Sequence, residues 1–444
     1  MISAWTACDQ LMIKGKWCMN STLLMYKNTM QDMTNDPSLP HHPNNNKKIR
    51  IPTLLALFFI GIGLAFATFA GTRIYTQYMT AKISPMGVSQ QTLSRAPSTF
   101  SQQKKIVYGF LPYWTIKTAQ IPQTLTHIAY FSLTLGKNGS FLTKQDGELD
   151  LGWYTFSSTS LEGLRTLIKN QHQKLDVVIT MMDADEISAF LSDARAQQTA
   201  ITNIKTLIKT QPINGINIDI EYAGTVTPGL RKQFSSFMQS LSQEIKRLDP
   251  TIELSVDVFA DAAIKERIWD IPALANSVNY IVVMAYDFFR SSSIQSGPVA
   301  PLFGSEKNRW DTDIAQNLKA YLDLVPPERI LLGIPFYGYE WQTTSSDPGA
   351  LTYPKSGGLA TYKRVRKLID DLGLREQWDS DAFSPYLSYE ENGKTQMIYY
   401  ENSRSLSYKL DLVNQAEFGG IAIWALGYDG ENPELWTVIQ QKFK

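Results

Sequence analysis

Short apolar runs recur along the chain beyond Lys105, and amphipathic stretches separate several of them. Eight runs have the length and apolar content of buried strands. They cover 106–114, 125–135, 175–183, 213–222, 252–260, 278–289, 329–341 and 419–429. Strands alternating with helices predict parallel βα units, and eight such units predict an α/β fold of the (β/α)8 type, a TIM barrel. The alternative is an open doubly wound sheet, but no glycine-rich phosphate loop follows the first run.

Two of the intervening stretches show helical periodicity clearly. Each carries apolar residues at spacings of three and four, which places them on one face of a helix. The first set is Leu230, Phe234, Phe237, Met238, Leu241 and Ile245, and the second is Leu161, Leu164, Leu167 and Ile168. Both sets are typical of helices that pack against a sheet.

The spacing of the runs is uneven at one point. Almost eighty residues separate the seventh run from the eighth, which is too many for one helix and two loops. We therefore predict a small α+β insertion between the seventh and eighth strands, at about 342–402.

A long uncharged segment precedes the globular part. Residues 51–71 contain no charged side chain, and this length is enough to cross a bilayer as a helix. Lys47, Lys48 and Arg50 precede the segment and Arg73 follows it. By the positive-inside rule, the N-terminus is expected in the cytoplasm and the remaining chain outside the cell.

The predicted organisation has four parts. They are a cytoplasmic tail at 1–50, a transmembrane anchor at 51–73, a flexible linker at 74–104 and a barrel domain at 105–444. The alternative to the anchor is a cleaved signal peptide, because 65–67 resembles a cleavage site and Met30 or Met33 could be the true start. We expect a single-pass membrane protein with an extracellular domain, or a secreted protein if the segment is cleaved.

Composition limits the possible partners and cofactors. Lys+Arg and Asp+Glu both number 42, a balance that gives no indication of a nucleic-acid partner. The two cysteines, Cys8 and Cys18, leave no thiolate for a metal site in the barrel domain. The adjacent His41 and His42 lie in a polar run. We predict no metal and no organic cofactor.

The fourth run carries an unusual polar pattern. Polar and apolar residues alternate from Ile216 to Glu221, which places Asn217, Asp219 and Glu221 on one face of a strand. No Lys, Arg or His in the run neutralises them. Two carboxylates this close disfavour joint ionisation, so one pKa rises and a proton stays available near neutral pH. The alternative is that Asp219 and Glu221 lie on an ordinary exposed strand edge or are paired with a distant cation.

Other runs end in residues that complement these carboxylates. In a (β/α)8 barrel the chemistry lies at the carboxyl ends of the strands. The sixth run ends in Met284, Tyr286 and Asp287, the seventh contains Tyr337, and the eighth contains Trp424. Carboxylates beside large aromatic rings are typical of a carbohydrate site.

Together these motifs resemble glycoside hydrolase family 18, the chitinase-like barrels. The family's fourth-strand signature is D-G-x-D-x-D-x-E, and its sixth-strand signature is M-x-Y-D. At the places of the first signature this chain has Asn214, Gly215, Asn217, Asp219 and Glu221, and the second is matched in full at Met284, Tyr286 and Asp287. Trp424 corresponds to the family's eighth-strand tryptophan. The resemblance spans about 106–444.

The resemblance implies a retaining, substrate-assisted hydrolase of β-1,4-linked N-acetylglucosamine polymers, either chitin or peptidoglycan. It implies that Glu221 is the general acid and then the base, and that Asp219 holds the acetamido nitrogen of the substrate. Tyr286 would orient the acetamido group. Asp287 would bind sugar hydroxyls, and Trp424 would form the floor beneath the sugar.

Further residues complete the predicted site. Asn217, Met284, Tyr337 and Phe110 join Asp287 and Trp424 as predicted substrate-binding residues. Several more aromatic residues could stack on sugars or simply pack: Tyr113, Trp114, Trp153 and Trp341. Asp257, at the end of the fifth run, could contact substrate or cap a loop.

The chain departs from the family pattern in three places. Asn214 and Asn217 replace two aspartates of the signature, and the third run ends in Thr180–Asp183 rather than in small Ser and Gly residues. Asparagine at 217 cannot share a proton with Asp219, so we predict an altered acidic limb of the pH profile. It also resembles the peptidoglycan-directed branch of the family, which includes spore cortex-lytic enzymes.

Two other functions remain open at this point. The family includes carbohydrate-binding lectins built on inactive barrels, and a barrel could also tether a cell to its wall glycan. Inactive members typically lose the glutamate, so the presence of Glu221 favours catalysis.

Overall fold

The computed structural model of the chain describes residues 104–145, 147–307 and 309–443. The predicted tail, the membrane segment at 51–73 and all but the last residue of the linker lie outside this part of the chain. Within it, none of the helices combines the length and the apolar character needed to cross a bilayer.

The described residues form fifteen strands, which we number in chain order. They are β1 (Ile106–Pro112), β2 (His127–Thr134), β3 (Lys144–Gln145), β4 (Glu148–Leu149), β5 (Lys174–Met181), β6 (Gly215–Ile220), β7 (Glu253–Phe259), β8 (Tyr280–Met284), β9 (Ile330–Pro335), β10 (Tyr337–Thr343), β11 (Gly358–Thr361), β12 (Gln377–Asp379), β13 (Ser384–Glu391), β14 (Lys394–Tyr399) and β15 (Gly420–Trp424).

Eight of these strands close into a barrel in the order β1-β15-β9-β8-β7-β6-β5-β2. Every neighbouring pair in the barrel is parallel. Each predicted apolar run overlaps one barrel strand, so the (β/α)8 prediction is confirmed. The closure of the barrel excludes the open-sheet alternative.

The described residues also form ten α-helices and four short 3-10 helices. The α-helices are α1 (Leu151–Ser157), α2 (Glu162–Asn170), α3 (Ala184–Ser192), α4 (Ala194–Thr210), α5 (Pro228–Leu248), α6 (Ile271–Ser277), α7 (Ile314–Leu322), α8 (Tyr362–Leu372), α9 (Ser403–Gln415) and α10 (Glu434–Lys442). The 3-10 helices are Thr159–Leu161, Ala260–Ala263, Ser305–Lys307 and Pro327–Arg329.

Helix α5 shows how the sequence sets these elements locally. The Thr227 hydroxyl caps its first turn by accepting from the Leu230 N–H at 3.2 Å, and Pro228 stands at its start, where a missing N–H costs nothing. All six apolar residues predicted for its packed face are buried.

Helix α2 corrects part of the second helical prediction. Leu161 and Ile168 are buried and Leu164 packs against the core, but Leu167 is 38% exposed. The packed face follows the spacing 161, 164 and 168. Leu167 lies one residue, or about 100°, away from Ile168 around the helix and therefore faces solvent.

Between β9 and α9 lies a separate antiparallel layer. Its five strands run in the order β11-β10-β14-β13-β12, and α8 joins β11 to β12. The predicted α+β insertion at about 342–402 falls on this layer. The layer's first strand begins earlier, at Tyr337, because the chain leaves β9 and enters β10 after a single intervening residue.

Residues on the barrel strands alternate between two environments. The isoleucines 216, 218 and 220 of β6 belong to the apolar core that includes the helices. A smaller apolar cluster comprises the alternate strand residues: Tyr108, Phe110, Ala129, Val178, Val282, Leu331 and Ala422. Asn217 and Asp219 follow this second alternation, so they face the barrel interior.

Candidate active site

Two neighbouring barrel strands bring an amide and two carboxyl groups together inside the barrel. Asn217 and Asp219 of β6 and Asp257 of β7 are buried, with 0–3% of their surface exposed. The Asn217 amide Nδ2 donates to Asp257 Oδ1 at 2.7 Å and to Ser255 Oγ at 3.0 Å. Asn217 is therefore tied to β7, and its contact there is a second acid.

The charges around Asp219 all act in the same direction. Burial raises the pKa of Asp219 well above its usual range, and the neighbouring charges of Asp257 and Glu221 raise it further. Burial also raises the pKa of Asp257, as does Glu221, whereas the Asn217 hydrogen bond lowers it. Asp219 therefore holds a proton to higher pH than an ordinary aspartate does.

Glu221 lies one residue beyond the end of β6, at the mouth of the barrel. Its backbone N–H donates to the Met181 carbonyl at 2.9 Å, which continues the pairing with β5. The side chain is only partly buried. Burial raises the pKa of Glu221 and the charge of Asp287 adds to this effect, while Arg290 opposes it. A glutamic acid in this setting is suited to donating a proton.

Asp287 is fixed by two tyrosines from the antiparallel layer. Tyr337 and Tyr339 both donate to its Oδ1, the latter at 3.0 Å. The Asp287 backbone adopts a positive φ of 62°, a conformation that aspartate tolerates better than most residues. Tyr286 lies beside Tyr337, with ring centroids 6.2 Å apart. Burial raises the pKa of Tyr286 well above its usual value, and Asp257 is the first of the carboxylates that add to this effect.

Trp424, at the end of β15, is surrounded by other aromatic rings. The Phe110 ring is 5.7 Å from it and the Phe131 ring is 4.6 Å from it at an angle of 80°. Phe131 also contacts Trp114, which is 50% exposed. Phe110 is only 2% exposed, so it packs inside the barrel against Trp424 and offers no free ring face. Trp114 presents such a face.

The structure also places Met284, Tyr337 and Asn214, the remaining residues that the sequence singled out. Met284, 9% exposed, ends β8 close to Tyr286 in the chain. Tyr337 is 3% exposed and supports Asp287. Asn214 is exposed and precedes β6, so this departure from the family pattern lies at the opposite end of the strand from Glu221.

The third strand of the barrel ends in larger side chains than the small Ser and Gly residues of the family pattern. Thr180 on β5 is buried, and its Oγ1 lies 3.0 Å from Ser132 Oγ on β2. Met182 beyond the strand is 50% exposed, and Asp183 accepts from two N–H groups at the start of α3. Asp183 is thus a helix cap.

Two residues of the site were not among the sequence candidates that we favoured. For Asp257 the sequence leaves open a contact with substrate or a loop cap, and the structure places it within β7 in contact with Asn217. Its signal is the same alternation as in β6, because Ser255 and Asp257 alternate with Leu254 and Val256. Tyr339 could not be found in this way, since its contact with Asp287 depends on the position of β10.

Neither a metal site nor the outer surface offers a competing centre. Within the described residues, no three His, Cys, Asp or Glu side chains are arranged to hold a metal ion. A cavity of about 840 Å³ lies between the outer faces of α5 and α6. Serine, glutamine and lysine side chains dominate its lining, and Asp219, Asp257 and Glu221 are not among them.

The arrangement can perform acid–base chemistry on a ligand at the barrel mouth. Glu221 can donate a proton at the mouth, Asp219 can accept a hydrogen bond once it is ionised, and the Tyr286 hydroxyl is near both carboxylates. Trp424 and Trp114 provide aromatic surface on the same side. Flat rings beside carboxyl groups suit a sugar ligand.

Comparison with known proteins identifies relatives of the same type. The chain is 27% identical over 250 residues to a Bacillus subtilis protein whose name assigns it to sporulation-specific glycosylases; the match covers 56% of this chain and 55% of that protein. It is 25% identical over 342 residues to a cortical fragment-lytic enzyme of Bacillus anthracis, covering 73% of this chain and 70% of that one. The chain thus spans between about half and about 70% of the length of these relatives.

A solved structure shows the same fold. The group IV chitinase of Ostrinia furnacalis, crystallised with allosamidin, superposes with a TM-score of 0.66 at 22% identity. The superposition covers 76% of this chain and 98% of the chitinase.

The family model named "Glycosyl hydrolases family 18" matches residues 98–429. That range contains every barrel strand and every residue of the site described above, and the resemblance inferred from the motifs is confirmed. The chain belongs to glycosyl hydrolase family 18, a family of enzymes that cleave glycosidic bonds.

Proposed function

We propose that this protein is a membrane-anchored extracellular hydrolase of β-1,4-linked N-acetylglucosamine polymers, chitin or peptidoglycan. The observation that carries the proposal is the group of raised-pKa acids at one end of the barrel, with Asp219 inside and Glu221 at the mouth. Such a group has a proton to give at neutral pH and an acceptor beside it.

The proposed reaction is retaining and substrate-assisted. Glu221 protonates the glycosidic oxygen while the substrate's own N-acetyl carbonyl oxygen attacks the anomeric carbon, which gives an oxazolinium. Asp219 accepts the acetamido N–H and stabilises the positive charge. Glu221 then removes a proton from the incoming water. This scheme fits the site because Asp219 and Asp257, the carboxyl groups of β6 and β7, both lie buried inside the barrel, and in a substrate-assisted reaction the substrate's own carbonyl oxygen is the nucleophile.

Other residues hold the substrate. Tyr286 orients the acetamido group, and Asp287, fixed by its two tyrosines, binds sugar hydroxyls. Trp424 forms the floor beneath the sugar at the cleavage point, and its orientation is set by Phe110 and Phe131. Asn217 and Met284 shape the interior side of the pocket.

The names of the relatives support both polymers as substrates. One relative is a cortical fragment-lytic enzyme and one structural neighbour is a chitinase. An asparagine at position 217 resembles the signature of the peptidoglycan-directed branch of the family. Peptidoglycan is therefore the first substrate to test.

The assay compares full-length protein in mild detergent with its Glu221→Gln variant on chito-oligosaccharides and on purified peptidoglycan, with products read by mass spectrometry. We expect cleavage by the wild type and a loss of about 100-fold or more in the variant, because proton transfer by a positioned acid contributes at least this much. Glu266→Gln is the matched control, since Glu266 is an exposed glutamate that lines the cavity between the outer faces of α5 and α6.

A lectin is the second candidate, favoured by the exposed Trp114 ring. Binding of the polymers without cleavage by either protein would favour the lectin and contradict the hydrolase. The anchor is tested separately: after alkaline extraction, an anchored protein stays with the membrane pellet, and a cleaved one is released.

A further inference from the structure

We propose that Asp257 is a positioning residue of this site, which takes up the proton that Asp219 must release when the positively charged intermediate forms. The inference rests on the proposed function and deepens it, since it concerns how Asp219 becomes an anion. In the family signature, an aspartate stands on β6 at the position of Asn217. In this chain, the corresponding acid is Asp257 on β7.

The geometry sets Asp257 beside Asp219. The strand register pairs Asn217 with Ser255 and Ile218 with Val256, so the next step along both strands brings Asp219 opposite Asp257. Asn217 Nδ2 contacts both Ser255 and Asp257, which locks the side chains of the two strands together. Position 217 and position 257 thus share one hydrogen bond between an amide and an acid.

The hydrogen bonds distinguish the two acids. Asp257 Oδ1 accepts a hydrogen bond from an amide N–H, which stabilises its anionic form. Asp219 Oδ1 is buried and has no hydrogen-bond partner among the described residues. An ionised Asp219 would lack that stabilisation, so the proton of the pair rests on Asp219 when no substrate is bound.

The titratable neighbours of Asp257 come from several elements. Asp219 lies on β6, and Glu221 lies just beyond its end. The charge of Asp257 also raises the pKa of two phenols, Tyr286 beyond β8 and Tyr108 on β1. Among the described residues, this group consists of acids and phenols, and Arg290, whose side chain is 59% exposed, lowers the pKa of the neighbouring Glu221. Because two buried like charges disfavour joint ionisation, the Asp219–Asp257 pair favours a state with one proton and one negative charge.

The exchange conserves protons and charge. Before the reaction, Asp219 is a neutral acid and Asp257 is a carboxylate. As the oxazolinium forms, the O–H bond of Asp219 breaks and an O–H bond forms on Asp257. Asp219 is then the anion next to the cationic intermediate, and Asp257 is neutral. The negative charge reaches Asp219 only when the positive charge develops, which favours the transition state over the ground state.

Three variants of the full-length protein test this inference. Asp257→Asn removes the acid while keeping the shape, and the Asn217→Asp/Asp257→Asn double variant exchanges the acid and the amide between the strands. Asp176→Asn is the control, because Asp176 is also a buried barrel acid (2% exposed) but pairs in register with Gly215, away from Asp257. Carbon-detected NMR follows the Asp219 carboxyl from about pH 4 to about pH 9, and Asp219→Asn assigns its resonance.

We expect the pH at which Asp219 becomes fully ionised to fall by at least about one unit in Asp257→Asn, the minimum for a strongly coupled pair. We expect the double variant to restore the wild-type titration and Asp176→Asn to leave it unchanged. On substrate, Asp257→Asn should lower kcat about tenfold with KM little changed, and the double variant should recover it.

An unchanged Asp219 titration in Asp257→Asn would overturn the inference, and so would a double variant that titrates like Asp257→Asn. Either result would leave Asp257 as a structural hydrogen-bond acceptor for Asn217. The NMR titration does not require turnover, so a wild-type protein that cuts no polymer would contradict the proposed hydrolase and still leave this test decisive.

Discussion

At the scale of single residues, the site depends on acids whose pKa values are raised by burial and by one another. Asp219 and Asp257 lie inside the barrel and Glu221 lies at its mouth, where the exposed Arg290 lowers the pKa of Glu221 and so opposes the effect of burial. Asp287 differs from them, because two phenol hydroxyls donate to it. Asp287 is thus held by hydrogen bonds from another element, whereas burial and mutual charge set the behaviour of Asp219, Asp257 and Glu221.

The support of Asp287 can be tested with Tyr337→Phe. Tyr337 is 3% exposed, so water does not easily replace its lost hydroxyl, whereas Tyr339 is more accessible. A hydrogen bond to a charged group contributes about 1.5 kcal/mol or more, so kcat/KM should fall about tenfold.

Tyr339→Phe is the matched control for this variant. It should lower kcat/KM by less than Tyr337→Phe does, because solvent reaches Tyr339 and water can replace its hydroxyl. The measurement is steady-state hydrolysis of a chito-oligosaccharide. A larger loss in Tyr339→Phe than in Tyr337→Phe would contradict the assigned support.

At the scale of elements, buried polar contacts join the antiparallel layer to the barrel. Glu401 follows β14, and its carboxyl accepts from Lys409 Nζ at 2.9 Å on both oxygens and from Ser405 Oγ at 2.8 Å. Glu401 and Lys409 are 1% and 0% exposed. The ion pair thus fixes the start of α9 to the end of the layer.

Removing one partner of this pair should be strongly destabilising. Lys409→Met leaves a buried carboxyl without its cation, and we expect the free energy of unfolding to fall by about 3–5 kcal/mol. The double variant Glu401→Leu/Lys409→Met should be much closer to the wild type, because both charges are gone. Urea denaturation followed by circular dichroism measures both, and equal losses in the two would disprove this account.

A glycine shows a second constraint between elements. Gly215 opens β6 opposite Asp176 of β5, and a Cβ atom at 215 would lie 2.6 Å from the Asp176 carboxyl. The glycine of the family signature is thus required here by the close approach of a buried acid. The motif could be found in the sequence, but its physical reason lies on the neighbouring strand.

At the scale of the whole molecule, the buried acids make stability depend on pH. Burial raises the pKa of Asp176 to about 6 from the ordinary 3.8. The folded form binds this proton more tightly than the unfolded form does. The resulting stability is therefore fully present below about pH 4 and is lost as the pH rises through about 6. The hydrogen bond from Lys307 lowers the pKa of Asp381. The stability that Asp381 contributes is therefore present at neutral pH and is lost as the pH falls through its lowered pKa.

Asp176→Asn tests this dependence. We expect the variant to unfold at higher urea concentration than the wild type at neutral pH, by up to about 3 kcal/mol in the free energy of unfolding. The difference should shrink as the pH falls toward about 4. Urea titrations across that interval decide the matter, and a difference that is constant with pH would contradict the assignment to Asp176.

The sequence by itself determined the barrel and predicted most of the candidate site. Period-two alternation shows which residues of β6 face the interior, and parallel strands meet at one mouth, so Asp219, Glu221, Tyr286 and Trp424 could be placed together. These features depend on local periodicity and on the geometry of one architecture. The membrane segment at 51–73 is also a prediction of the sequence, and it lies outside the described residues.

Only the tertiary structure decided which side chains touch. The contact between Asn217 and Asp257 depends on the register of two strands, and the tyrosines that hold Asp287 come from a layer whose position no periodicity encodes. Phe110 was placed at the mouth by its strand, but the structure shows it packed inside against Trp424. Hydrogen bonds and mutual pKa effects require distances of a few ångströms between residues far apart in the chain, and only the folded structure sets those distances.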